Sequence, residues 1–128
     1  MTDHKKLNSI FKSYPEIKLV YLFGSRAVCK ESLLSDYDFA VYLDTKDKNR
    51  MYEIKFELFD KASRLLKTDK IDIVILNVTE SPELKYLIIK EGKLIFERKP
   101  FKVIVEPDIL NEYFDFQRGL LRYNLTGA

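Results

Sequence analysis

The sequence predicts an α/β domain (α+β in the finer division) with a small mixed β-sheet flanked by helices. Three observations carry that expectation. Segments with helical apolar spacing alternate with short β-rich runs, the pattern of layered helix and sheet. The β-rich runs are strand-sized, and Gly or Pro punctuates their ends. At 128 residues, with 46% hydrophobic and 33% charged side chains, the chain is near the commonest domain size and can bury one core.

Leu7, Ile10, Phe11 and Tyr14 follow the i, i+3, i+4, i+7 spacing of one helix face, so a helix is expected over 3–14, stopped by Pro15. Ile17–Phe23 reads as a strand that Gly24-Ser25 breaks, and a short helix should begin at or just after Ser25. Residues 36–43 form the next expected strand. Asp36, Asp38, Ala40 and Tyr42 share one face, and Tyr37, Phe39, Val41 and Leu43 the other. A long helix follows over 48–67, with Met51, Ile54, Leu58, Ala62, Leu65 and Leu66 as its apolar stripe.

Ile71–Leu76 is the third expected strand, with Ile71, Ile73 and Ile75 opposite Asp72 and Val74. Ser81-Pro82-Glu83 has a helix cap followed by proline at the first helical position. That helix should end near Gly92 and lead to a strand at Lys93–Glu97. Beyond Pro100, Phe101–Val105 reads as a strand, and Pro107-Asp108 as the start of a final aromatic-rich helix over 108–123. The organisation expected is a core domain over 1–98 and a C-terminal strand and helix over 99–128, packing on the domain or docking a partner. Ile109, Leu110, Tyr113, Phe114, Phe116, Leu120 and Leu121 exceed a narrow helical stripe, which is the basis for the docking alternative.

Composition excludes several classes. With 22 Lys plus Arg against 20 Asp plus Glu, the net charge of +2 gives no bulk case for direct nucleic-acid binding. Lys5-Lys6 and Lys46/Lys48 read as solvated surface. One cysteine, Cys29, allows neither an internal disulfide nor a cysteine-based zinc site, and it suits a reducing cytoplasm. The polar start Met-Thr-Asp-His-Lys-Lys is not followed by a signal-peptide core. The longest apolar runs, near Leu19–Phe23 and Ile73–Leu76, are too short to span a bilayer.

The stretch that carries chemistry is Leu22-Phe-Gly-Ser-Arg-Ala followed by Ser35-Asp-Tyr-Asp-Phe-Ala-Val. Gly24 lets a phosphate approach the backbone, Ser25 adds a hydroxyl donor, and a helix start offers free N–H groups to an anion. Asp36 and Asp38, two apart on a strand, project from one face, where they can converge on hard cations such as Mg²⁺. Asp72 sits among Ile71, Ile73 and Val74, where burial would be costly without pairing or a metal. If its strand lies beside the Asp36/Asp38 strand, the three carboxylates form one cluster. Such a cluster could hold two Mg²⁺ ions, with Asp72 also placed to accept a nucleophile's proton. Alone, a Gly-Ser is commonly a turn, an Asp-x-Asp a solvated strand start, and Asp72 an edge charge. The combination, with each part where the chemistry needs it, is what points to a site.

Gly24-Ser25, ten intervening residues and Asp36-x-Asp38 resemble the signature of the DNA polymerase β-like nucleotidyltransferases. The fuller Gly-Ser-Arg-Ala…Ser-Asp-x-Asp resembles the minimal nucleotidyltransferase (MNT) branch, over residues 1 to about 98. The resemblance implies a polymerase-β-like palm, with Gly24 and Ser25 on the triphosphate and Asp36, Asp38 and Asp72 as the metal-binding carboxylates. This chain has Val28-Cys29 where members of the branch often carry Gly, and Cys29 has no nearby base to make it a nucleophile. The branch also implies a partner, a HEPN-domain RNase toxin that such an antitoxin modifies by moving AMP from ATP to a tyrosine hydroxyl. Two alternatives stand beside it: neutralisation by binding alone, and modification of a small molecule.

Overall fold

The computed structural model describes residues 2–24 and 37–122. Helix α1 (Thr2–Lys12) leads to strand β1 (Ile17–Phe23); strand β2 is Tyr37–Leu43, helix α2 Lys48–Leu66 and strand β3 Ile71–Ile75. A 3₁₀ turn at Leu76–Val78 precedes helix α3 (Pro82–Glu91), strand β4 (Lys93–Glu97) and helix α4 (Phe101–Arg122). The four strands form one mixed sheet in the order β3-β2-β1-β4. β1 runs antiparallel to both β2 and β4, and β2 parallel to β3. This is the expected class.

Strand alternation divides the core into two layers. On one face Ile17, Val20, Phe39, Val41, Leu43, Ile71, Ile73 and Ile75 pack against Leu7 and Phe11 of α1 and Met51, Ile54, Leu58 and Ala62 of α2. On the other, Leu19, Tyr21 and Ala40 meet Ile88 of α3 and Val105 and Ile109 of α4. A register shift between Ile17 and Leu19 puts Ile17 and Val20 on the same face although three residues separate them, as a bulge does. Full burial of a side chain such as Ile54 or Leu58, both essentially inaccessible, contributes about 1.5–3 kcal/mol.

The helix signals mostly hold. Asp47 caps α2 by accepting from the Asn49 N–H, and Ser81 caps α3 by accepting from the Leu84 N–H with Pro82 in the first turn. α1 stops at Lys12, yet Tyr14 is buried just beyond it, its hydroxyl donating to Glu57 at 2.6 Å.

The C-terminal segment differs from expectation. Residues 101–105 are not a strand: Phe101–Arg122 is one continuous helix with Pro107 inside it. Proline there deletes one backbone donor. Val105 and Ile109, one turn apart across Pro107, are both buried against the sheet, and that packing outweighs the local stop signal. The predicted short helix after Ser25, and the start of the second strand at Asp36, lie outside the described residues.

Parallel pairing of β2 and β3 is fixed beyond the strand ends by Asn77. Its side chain accepts from the Leu43 N–H at 2.9 Å and donates to the Leu43 carbonyl at 2.6 Å. At the other end the Tyr37 N–H donates to the Lys70 carbonyl at 2.9 Å. Pinned at both ends, the two strands cannot slip, and a slip of one residue would turn Asp38 or Asp72 to the opposite face.

Candidate active site

Among the described residues, the register brings two of the sequence-predicted carboxylates together. Asp38 of β2 is the direct partner of Asp72 of β3, and Phe23 of β1 is the partner of Asp38. Two carboxylates thus stand abreast on adjacent strands, on the face that carries Ala40 and Val74. Opposed like charges on neighbouring strands are unfavourable unless something positive lies between them. Such a pair of hard oxygen donors fits a divalent cation such as Mg²⁺. Asp38 is half-buried and Asp72 exposed. The cost of burial that drew attention to Asp72 in the sequence therefore does not arise; its position beside Asp38 is what marks it.

Gly24 closes the group. Its φ is +78°, a backbone conformation that side chains disfavour. A Cβ built on it would run into the Asp38 Oδ2 atom, well inside van der Waals contact. The turn after β1 thus passes directly against the Asp38 carboxylate, and only the bare glycine backbone fits there. The sequence marked Gly24 as a place for a phosphate to approach; the group that lies against it in the structure is the Asp38 carboxylate. Ser25 and Asp36 lie outside the described residues, as do Arg26, Val28 and Cys29. Among the described residues no group of three or more His, Cys, Asp or Glu side chains is placed to hold a metal, since only Asp38 and Asp72 of the three aspartates are described.

Two hollows border the site. One is lined by Phe23, Gly24, Leu87 and Glu91. Lys55, Phe56, Phe59, Ile71, Asp72 and Ile73 line the other, at the β3 edge. Leu87 and Glu91 did not emerge from the sequence. They are more than sixty residues from Gly24 along the chain, and nothing local distinguishes them from an ordinary helix surface.

Comparison with known proteins gives the family. Residues 5–101 match the family model described as polymerase beta, nucleotidyltransferase. The chain belongs to that family. A curated relative, the protein adenylyltransferase MntA of Aphanizomenon flos-aquae (strain 2012/KM1/D3), is 32% identical over 116 residues, covering 86% of this chain and 70% of the relative. That relative agrees with the resemblance to the minimal nucleotidyltransferase branch.

Among solved structures, a toxin–antitoxin with AMP-PNP superposes with a TM-score of 0.78 at 22% identity, covering 94% of each chain. A complex of tri-AMPylated Shewanella oneidensis HEPN toxin with MNT antitoxin gives 0.72 at 21% identity, covering 95% of this chain and 92% of that one. These two likenesses show the fold. No helix among the described residues is long and apolar enough to cross a membrane.

Proposed function

We propose that this chain is an antitoxin that works as a protein adenylyltransferase, moving AMP from ATP to a tyrosine hydroxyl of a HEPN-domain RNase toxin in the cytoplasm. The observation that carries the reading is the side-by-side register of Asp38 and Asp72 with Gly24 against Asp38. Support comes from a 32% identical relative that is named a protein adenylyltransferase.

In this reading the backbone of Gly24 and the hydroxyl of Ser25 hold the triphosphate. Asp36, Asp38 and Asp72 would hold two Mg²⁺ ions, which when bound would neutralise phosphate charge and favour the ionised acceptor oxygen. The phenolic oxygen of the acceptor forms a bond to the α-phosphorus. The bond from that phosphorus to the oxygen bridging to the β-phosphate breaks, and pyrophosphate leaves with the electron pair. Asp72, exposed at the sheet edge, is open to the acceptor and takes the phenolic proton.

The C-terminal segment over 99–128 is the part proposed to meet the partner. Val103, Phe114 and Leu121 are exposed. Spaced by eleven and seven residues, they fall on one side of α4 at about 100° per residue. These side chains are what α4 offers a partner.

The test is intact-protein mass spectrometry of the candidate toxin after incubation with this protein, ATP and Mg²⁺, with Asp38→Asn alongside. Addition of one or more AMP units, absent with the variant, is the expected result. A toxin that binds but gains no mass would instead make this a neutraliser by binding alone. AMP transfer to a small molecule and not to the toxin would move it to the antibiotic-modifying class.

A further inference from the structure

The hollow beside Gly24 has a composition that the transfer reaction does not explain. Its walls are Phe23 and Leu87, and Glu91 stands at its side. Leu87 is 46% exposed, while its neighbour Ile88 is fully buried against the sheet. Leu87 and Glu91, four residues apart, lie on the same face of α3. Among the described residues no hydrogen bond or ion pair engages the Glu91 carboxylate.

The end of α3 is also held rigidly at this place. Gly92 follows it, and a Cβ there would collide with the Ile88 carbonyl oxygen and lie 3.4 Å from that of Leu22. The Gly92 N–H donates to the Ile88 carbonyl at 2.8 Å, and Lys93 then pairs with Leu22 in the sheet. Glu91 is therefore pinned level with the end of β1, where Gly24 begins the proposed phosphate turn.

We infer that Phe23, Leu87 and Glu91 form the nucleoside subsite, with Phe23 and Leu87 packing on the sugar and base and Glu91 accepting hydrogen bonds from the ribose hydroxyls. The inference rests on the proposed use of ATP. In a nucleoside triphosphate the ribose is the group joined directly to the phosphates, so it occupies the hollow adjoining Gly24. An ionised carboxylate repels phosphate but accepts from two adjacent hydroxyls, a pairing used for ribose elsewhere. Adenine offers such a group one amine, which leaves the ribose as the better match. The subsite thus selects ribonucleotides over deoxyribonucleotides.

The experiment is equilibrium binding of AMP-PNP and its 2′-deoxy analogue, each with Mg²⁺, to the wild type, Leu87→Ala, Glu91→Gln and Glu91→Asp. Circular dichroism checks the fold, which these surface substitutions leave intact. The wild type is expected to prefer the ribonucleotide by about tenfold, the scale of a hydrogen bond to a charged acceptor. Glu91→Gln loses that preference, Glu91→Asp keeps part of it, and Leu87→Ala weakens both ligands by a similar factor. Unchanged nucleotide binding in Leu87→Ala and Glu91→Gln would overturn the inference, as would a raised KM for the protein acceptor alone, which would give the hollow to the acceptor. A wild type that binds AMP-PNP with the expected preference, yet transfers nothing, would support the subsite and remove the proposed function. A wild type that binds no nucleotide would remove both.

Discussion

Gly24→Ala tests the architecture most directly, because one methyl group meets both the backbone and the candidate metal ligand. At φ +78° an alanine costs roughly 1 kcal/mol of backbone strain relative to glycine. Its Cβ would also occupy the space of the Asp38 Oδ2 atom, so the carboxylate must rotate away. A displaced rotamer adds about 0.5–1.5 kcal/mol. The sum, about 2 kcal/mol, lowers Tm by roughly 7 °C for a domain of this size.

The effect on transfer should be far larger than the effect on folding. In the proposed role of Asp38 as a metal ligand, moving its carboxylate by about 1 Å costs on the order of 100-fold in rate. The assay is AMP incorporation into the partner, measured with thermal melting of the same preparations. Gly119→Ala is the control: a Cβ there meets nothing within 4 Å, and alanine in place of a helical glycine stabilises by about 0.5–1 kcal/mol. A Gly24→Ala protein that melts within a degree of wild type and transfers AMP within threefold of its rate would refute the reasoning.

Three further outcomes follow from the same contacts. Asp72→Asn should not lower Tm, because Asp72 is exposed and the change relieves like charge opposite Asp38, while cutting transfer by roughly 10²–10⁴-fold, the range for a lost general base; paired melting and mass assays check both. Tyr21→Phe removes the hydroxyl that donates to Glu106 at 2.6 Å and joins β1 to α4. Tyr21 is buried, and a bond to a charged acceptor is worth about 1.5–3 kcal/mol, so urea unfolding should show a loss of that order with transfer unchanged.

Glu16 is the acid-sensitive pair member. The Arg50 guanidinium, donating at 2.8 Å, holds its carboxyl below the usual range. A depressed folded-state pKa gives stability that is present above the unfolded value and lost as pH falls through the folded one. Glu16→Gln should therefore cost under about 1 kcal/mol at pH 7 and nothing once the wild-type carboxyl is protonated. Melting curves from pH 7 down to about pH 3 measure that convergence.

The periodicity of apolar residues was enough to order most elements, because burial of one face is written locally as a 2- or 3.6-residue repeat. Met51, Ile54, Leu58 and Ala62 line the buried face of α2 as their spacing requires, and Ser81-Pro82 starts α3. It failed at Phe101–Val105, where β-favouring side chains before Pro107 looked extended. Packing of Val105 and Ile109 on the sheet, invisible in the local sequence, made them helix.

The candidate site divides in the same way. Residue types and short spacings sufficed to single out Gly24 and Asp38, and the apolar flanks of Asp72 singled out that residue. That Asp72 pairs with Asp38 depends on β3 lying parallel beside β2, a pairing held by Asn77 and Leu43 across the far end. Leu87 and Glu91 reach Gly24 because Lys93, two residues after Glu91, pairs with Leu22 near the end of β1. Local sequence can specify a conformation or a face. Which faces meet depends on strand order and register, and those are settled by packing between segments far apart in the chain.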